Sequence, residues 1–234
     1  MLEELKRRVW QANLDLAASG LVTLTWGNAS GISDDRRTVA IKPSGVAYSA
    51  MQPEDMVLVA LADGQVVDGR CRPSSDTRAH LELYRAWPHV GGVAHTHSPH
   101  ATAFAQAARA IPCLGTTHAD HFRGDVPVAR SPAPHEVADD YEAATGRVIV
   151  ERFAEGLDSA AVPGVLVAGH GPFTWGDSAE QAVENAVALE AVALSALMTL
   201  ALDASAPPLA EYLVAKHHDR KHGPAAYYGQ RRDG

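Results

Sequence analysis

The sequence predicts a three-layer α/β/α domain whose central sheet is largely antiparallel or mixed. Short β-type runs alternate with helical periodicities along the chain, and neither type is segregated to one half. Tight turn signals join several of the runs, which favours antiparallel neighbours. No repeat, low-complexity tract or long linker interrupts the 234 residues, so 1–234 reads as one domain.

The elements follow in order. Leu2, Leu5, Val9, Ala12, Asn13 and Leu16 recur at helical spacing, and Gly20 stands where a C-cap belongs. A strand is expected at 21–25, with Trp26 to Gly31 turning out of it. Further strands are expected at 38–41, 56–61 and 65–67, the last two joined by Asp63-Gly64. A helix should open after Pro73-Ser74-Ser75 and run to Trp87. A strand over 92–97, a short helix over 99–108 and a strand over 113–116 come next. Helices are expected at 136–145 and 147–155, separated by Gly146. Buried strands at 165–168 and 172–175 precede a long apolar helix over 180–202. A last helix starts after Pro207-Pro208 and ends near Arg220.

Composition narrows the function. Hydrophobic residues make up 46% and charged residues 21%, enough apolar material for a sizeable core. A net charge of −8 argues against a nucleic-acid binder, which needs a basic face. Cys71 and Cys113 have no CxxC spacing, so neither a disulfide scaffold nor a Cys-rich zinc site is expected. The N-terminal segment has no apolar signal core, and the uncharged run 191–202 is too short to span a bilayer. A cytoplasmic protein without membrane partners is the expectation.

Histidine is unusually abundant, at 12 residues. His95 and His97 lie two apart in a strand-like segment, so both rings project from one face. At that spacing two imidazoles reach one ion at about 2.0–2.1 Å. His170, in Gly169-His170-Gly171, ends a second apolar strand, and its glycine neighbours admit a close backbone approach. Three neutral imidazoles with an open position suit a catalytic zinc or related divalent ion. An isolated HxH pair is more often an inert polar pair. Here the pair enters a Ser-Pro loop at a strand end, where sites are built, and a third histidine ends a comparable strand. His80 and His89 read as surface or helix-face residues. His100, His118, His121, His135, His218 and His222 have no pairing that spacing explains.

Three turns resemble anion cradles: Gly27-Asn28, Lys42-Pro43-Ser44-Gly45, and Pro73-Ser74-Ser75-Asp76-Thr77 at a helix start. Alone, Ser74 and Ser75 read as N-caps and Gly27-Asn28 as a turn. Their shared position on strand exits favours a phosphate. None matches a nucleotide motif. Asp120 fits a general base or a turn residue, and Tyr227-Tyr228 a docking anchor or a frayed end.

The runs LVTLTWGN, IKPSGV, PSSDT, GGVAHTHS, GTTHAD, PGVLVAGHGPF and KHGPAAYYGQ, in this order, closely resemble the L-ribulose-5-phosphate 4-epimerases of the class II aldolase family. The likeness extends from Met1 to about Gln230. It implies the class II aldolase fold and one divalent ion per chain, Zn2+ first and Mn2+ or Co2+ as alternatives. His95, His97 and His170 would ligate that ion, with Asp76 as a further ligand or near-ligand. Gly27, Asn28, Lys42, Ser44, Gly45, Ser74, Ser75 and His217 would contact a sugar phosphate. Asp120 and Tyr228 match the two acid/base positions. The C-terminal tail, about 222–234, is expected to reach a neighbouring subunit of a cyclic homotetramer with active sites at its interfaces. A role in arabinose catabolism is the implied setting.

The implied reaction inverts carbon 4 of a ketose phosphate, whose hydrogen is not acidic. Breaking and remaking C3–C4 avoids removing that hydrogen, with the ion as Lewis acid and two acid/base groups on opposite faces. The rival reading is a class II aldolase of the fuculose- or rhamnulose-phosphate type. Such relatives carry a glutamate near the position of Asp76, and the shorter aspartate favours the epimerase. A non-catalytic protein with a structural metal is disfavoured by the open, all-His ligand set. The chain departs from the family pattern at His121, where tyrosine is common, at Arg123, and at Ala168-Gly169. These departures bear on specificity and leave the ligand motifs intact.

Overall fold

The computed structural model describes residues 1–224 and 226–228. Eight strands form one sheet in the order β4-β3-β2-β1-β5-β8-β7-β6. They are β1 (Asn28–Ile32), β2 (Thr38–Ile41), β3 (Val57–Ala60), β4 (Val66–Asp68), β5 (Gly92–His95), β6 (Val128–Ala129), β7 (Gly164–Val167) and β8 (Pro172–Gly176). Every neighbouring pair is antiparallel except β6 with β7. The sheet is therefore mixed, as the sequence predicts.

Strand alternation divides the interior in two. Val39, Ile41, Val57, Val59 and Val93 face one core, built with Leu81, Leu83 and Tyr84 of α2 (Thr77–Ala86) and Val148, Ile149 and Phe153 of α5 (Pro134–Ala154). Ala40, Leu58 and Ala94 face the other, with Val9, Ala12 and Leu16 of α1 (Leu2–Ala18) and Ala182 and Ala186 of α6 (Ala179–Leu202). Helix α6 is long and apolar enough to cross a bilayer. Its Leu189, Val192, Ala193 and Ala196 instead pack into the first core. The other α-helices among the described residues are α3 (Pro99–Gln106), α4 (Thr116–Ala119) and α7 (Glu211–His222).

Several elements differ from the sequence expectation. Residues 21–25 form no strand, and the strand is Asn28–Ile32, which begins inside the segment 26–31 expected to turn. Its residues are small because α1 lies across it: a Cβ on Gly31 would stand 2.9 Å from Val9 Cγ2. The buried Asn13 side chain bonds both backbone groups of Ala29, accepting from N–H at 2.8 Å and donating to C=O at 2.9 Å. Residues 113–116 form no strand either, and Thr116–Ala119 is a helical turn. Strand β6 has two residues, too few to leave a periodic signal.

Helix α5 runs through Gly146. That glycine lets α2 approach, since a Cβ there would meet Ala79 O at 2.7 Å. The break in α5 falls at Asp140, with φ −157° and ψ 90°.

Asn13→Ala should remove three buried hydrogen bonds and strand the Ala29 backbone groups. A loss of about 2–3 kcal/mol is expected in urea unfolding. A change near zero would show that α1 does not depend on this clamp.

Candidate active site

The β5–β8 register builds the site. His95 pairs opposite Phe173, and the two rings stack at 4.1 Å. His95 Nδ1–H donates to Pro172 C=O at 2.9 Å, which fixes the tautomer and leaves the Nε2 lone pair facing the site. His97 Nε2 lies 3.1 Å from His95 Nε2. His170 enters from the β7–β8 turn, where Gly169 takes φ +74° and a Cβ on Gly171 would stand 2.8 Å from Thr96 O.

Among the described residues these three form one group whose ligand atoms all lie within 4.8 Å of one another. Nitrogens bound to a tetrahedral zinc sit roughly 3.3 Å apart, so small ring movements suffice. Burial, then the charge of neighbouring histidines, lowers the pKa of His97 and takes His170 to about 3. Both rings are neutral at pH 7, the form that ligates a metal. The donor set fits a divalent ion.

Asp76 lies outside this tight group. Its carboxylate accepts from Asn28 Nδ2 at 2.6 Å. Burial pushes its pKa up, but His95, His80 and the Asn28 amide more than offset this, and the net value falls below the usual carboxylate range.

The three anion-type turns converge. Gly27, Asn28, Lys42, Ser44, Gly45, Ser74, Ser75, Asp76 and His97 line one polar cleft of about 290 Å³. Gly27 and Gly45 have φ +76° and +70°, left-handed backbone that a side chain would strain. Backbone bonds from Ser74 N to Lys42 O and Ser44 N to Arg72 O lock two of the turns together. Lys42 is buried, and desolvation lowers its pKa. Its ammonium donates to Thr25 C=O at 3.3 Å and lies over the Tyr48 ring.

Asp120, His217 and Tyr228 gather elsewhere. Arg220 grips Asp120 with two bonds of 2.9 and 2.7 Å, and His217 Nδ1–H adds a third at 3.1 Å. Tyr228, 56% exposed, lies against the Arg220 guanidinium, 4.9 Å from ring centre. His222 Nε2–H donates to Asp120 C=O, and His121, His218 and His222 line a cleft with Gly176 and Asp177. Gly176 ends β8 four residues from Pro172, roughly 13 Å along the strand. Within one chain Asp120, His217 and Tyr228 thus form a cluster of their own, and none of them lines the cleft beside the histidine triad. Of the expected tail, Ala225 and 229–234 lie outside the described residues.

A family model described as class II aldolase and adducin N-terminal domain matches residues 7–197. The chain belongs to the class II aldolase and adducin family. The L-ribulose-5-phosphate 4-epimerase UlaF of Salmonella paratyphi B is 53% identical over 230 residues, covering 98% of this chain and 100% of that one. Among solved structures, an L-fuculose 1-phosphate aldolase superposes with a TM-score of 0.78 at 22% identity, over 93% of this chain and 95% of that one. The L-fuculose-1-phosphate aldolase of Thermus thermophilus gives 0.65 at 25% identity, over 88% and 98%. These likenesses share the fold described above.

Several further residues border the site. Trp26 is 55% exposed, lines the cleft, and lies 6.2 Å from His97 between ring centres. Its place beside Gly27-Asn28 was a usable signal. His80, expected near the surface, is 0% exposed, its Nδ1 2.7 Å from Ser30 Oγ. Burial takes its pKa to about 3. Only the apolar residues around it on α2 hint at this. Tyr141 Oη stands 3.5 Å from His170 Nδ1.

Burial raises the Asp120 pKa, but Arg220 and His217 outweigh it, and the net shift is downward. A depressed carboxylate stabilises the fold above its unfolded pKa of about 3.9 and loses that effect as pH falls through the folded value. Asp120→Asn should therefore destabilise the chain by a constant amount at neutral pH, a difference that disappears in strong acid. Melting curves across pH that show no such convergence would contradict the pairing.

Proposed function

We propose that the protein interconverts L-ribulose 5-phosphate and D-xylulose 5-phosphate by breaking and remaking the C3–C4 bond. The 53% identity over 98% of the chain to a protein named L-ribulose-5-phosphate 4-epimerase carries the reading. The convergence of three anion-type turns beside the histidine triad supports it. The ion is Zn2+ by preference, with Mn2+ or Co2+ as alternatives, and the enzyme works as a cytoplasmic homotetramer. Residues 1–234 act as one catalytic domain.

Each residue then has a task. His95, His97 and His170 hold the ion, with Asp76 beside them. Once bound, the ion supplies Lewis acidity for the substrate carbonyl and the adjacent hydroxyl. Lys42 and the Gly27-Asn28, Ser44-Gly45 and Ser74-Ser75 turns bind the phosphate and keep the two-carbon aldehyde fragment from escaping. His217 orients the substrate. One of Asp120 and Tyr228 takes the C4 hydroxyl proton as C3–C4 breaks. The aldehyde then turns to present its other face to the three-carbon enediolate. As the bond re-forms, the group on the opposite side returns a proton to the new C4 oxygen. The clustering of Asp120 and Tyr228 apart from the triad's cleft supports a site that a neighbouring copy completes with these two residues.

Incubation with L-ribulose 5-phosphate and a divalent ion should yield D-xylulose 5-phosphate, followed by a coupled assay. Release of dihydroxyacetone phosphate from a deoxyketose phosphate, without epimerisation, would favour the aldolase instead. Chelation should stop turnover. His97→Ala and Asp120→Asn should each lower kcat by at least about 100-fold while phosphate binding survives. Wild-type rates in either variant would contradict the assigned roles.

A further inference from the structure

Tyr141 has no place in the mechanism above, yet the chain is bent to aim it. It follows the break in α5, where Asp140 adopts extended backbone inside an otherwise helical segment. Two contacts hold the break. Asp140 Oδ1 accepts from Ala143 N–H at 3.2 Å, capping the helix that begins again at Tyr141. The other carboxylate oxygen pairs with Arg78, two residues after Asp76 on α2. Tyr141 C=O accepts from Thr145 Oγ1 at 2.9 Å, seating the first turn of the resumed helix.

From this position the Tyr141 hydroxyl lies 3.5 Å from His170 Nδ1, at the outer limit of a hydrogen bond, with ring centres 6.2 Å apart. A metal-ligating histidine needs a partner for its second nitrogen, to set the tautomer and the ring angle. His95 has one in Pro172 C=O. His170 rises from a glycine-flanked turn, and the partner of its ring nitrogens among the described residues is Tyr141.

We infer that Tyr141 is a positioning residue: it accepts the Nδ1 proton of His170, holds the ring with Nε2 toward the ion, and is itself aimed by the Asp140 break and the Arg78 clamp. This rests on the reading of His95, His97 and His170 as a metal site. It ties the first turn of α2, which follows Asp76, to the third ligand through the Arg78–Asp140 ion pair. The Tyr141 ring is 38% exposed, so removing its hydroxyl takes little from the core.

The test is Zn2+ affinity, measured by chelator competition on the full chain, together with melting of the metal-free protein. Tyr141→Phe should weaken Zn2+ binding about 10–100-fold and leave metal-free melting unchanged. Asp140→Ala, which removes both the cap and the clamp, should weaken binding in the same direction. At saturating metal, Tyr141→Phe should recover most of its kcat with KM for the sugar phosphate near wild type. Affinities within twofold of wild type in both variants would overturn the inference. So would a Tyr141→Phe loss matched by lower metal-free stability, which marks a merely structural role. The metal reading fails separately: there the wild type binds no ion, or binds it equally well after His97→Ala.

Discussion

The antiparallel pairing of β5 with β8 places Phe173 under the His95 ring and Pro172 C=O against its Nδ1. From that register the rest of the site follows. His97 follows just beyond the end of β5 with its Nε2 3.1 Å from that of His95, and His170 is delivered by the turn that feeds β8. A slip of one residue would turn His95 to the opposite face of the sheet and dissolve the cluster. The register is pinned at the far end as well. A Cβ on Gly92 would stand 2.2 Å from Ser178 O, so the start of α6 sits directly on the start of β5. Backbone packing at one end of the sheet thereby sets side-chain chemistry at the other.

Electrostatics divides the molecule into two incomplete halves. One end holds imidazoles kept neutral by burial, a desolvated lysine and backbone turns open to an anion. The other holds a carboxylate kept ionised by Arg220 and His217, with Tyr228 resting on that arginine. Among the described residues, the cleft beside the triad is lined by neither Asp120 nor Tyr228. A rotationally symmetric assembly joins unlike ends of identical chains without any new residue. The proposed homotetramer would bring the two halves together.

Much of this was legible in the sequence, and the exceptions have physical causes. The mixed α/β/α architecture, α1, α2, α6, α7 and most strands follow from periodicity and turn residues. Strand β1 was hidden because Asn-Ala-Ser-Gly carries no β signature. Its conformation is imposed by Asn13 and by the close approach of α1. The triad was visible from strand spacing plus a glycine-flanked histidine. The cleft could be guessed from three separate turns, but their convergence depends on long-range pairing that no local window contains. His80 was misplaced because a buried imidazole on an amphipathic helix reads like a surface one until its partners, Ser30 and the Phe173 ring, are located. Gly146 is the more conspicuous interruption in the sequence, yet it serves helix packing, and the break falls at Asp140, which carries no breaker signature.

In the proposed enzyme each active site joins the triad of one chain to the acid/base pair of another. Mixed oligomers test it most directly. Two chains that are inactive alone, His97→Ala and Asp120→Asn, would be unfolded together, refolded as a mixture, and assayed for epimerisation. At equal input roughly a quarter of the sites should combine an intact triad with an intact Asp120, and activity should return in that proportion. A refolded mixture of the same assembled size that stays inactive would contradict the account, because every site would then draw all its groups from one chain.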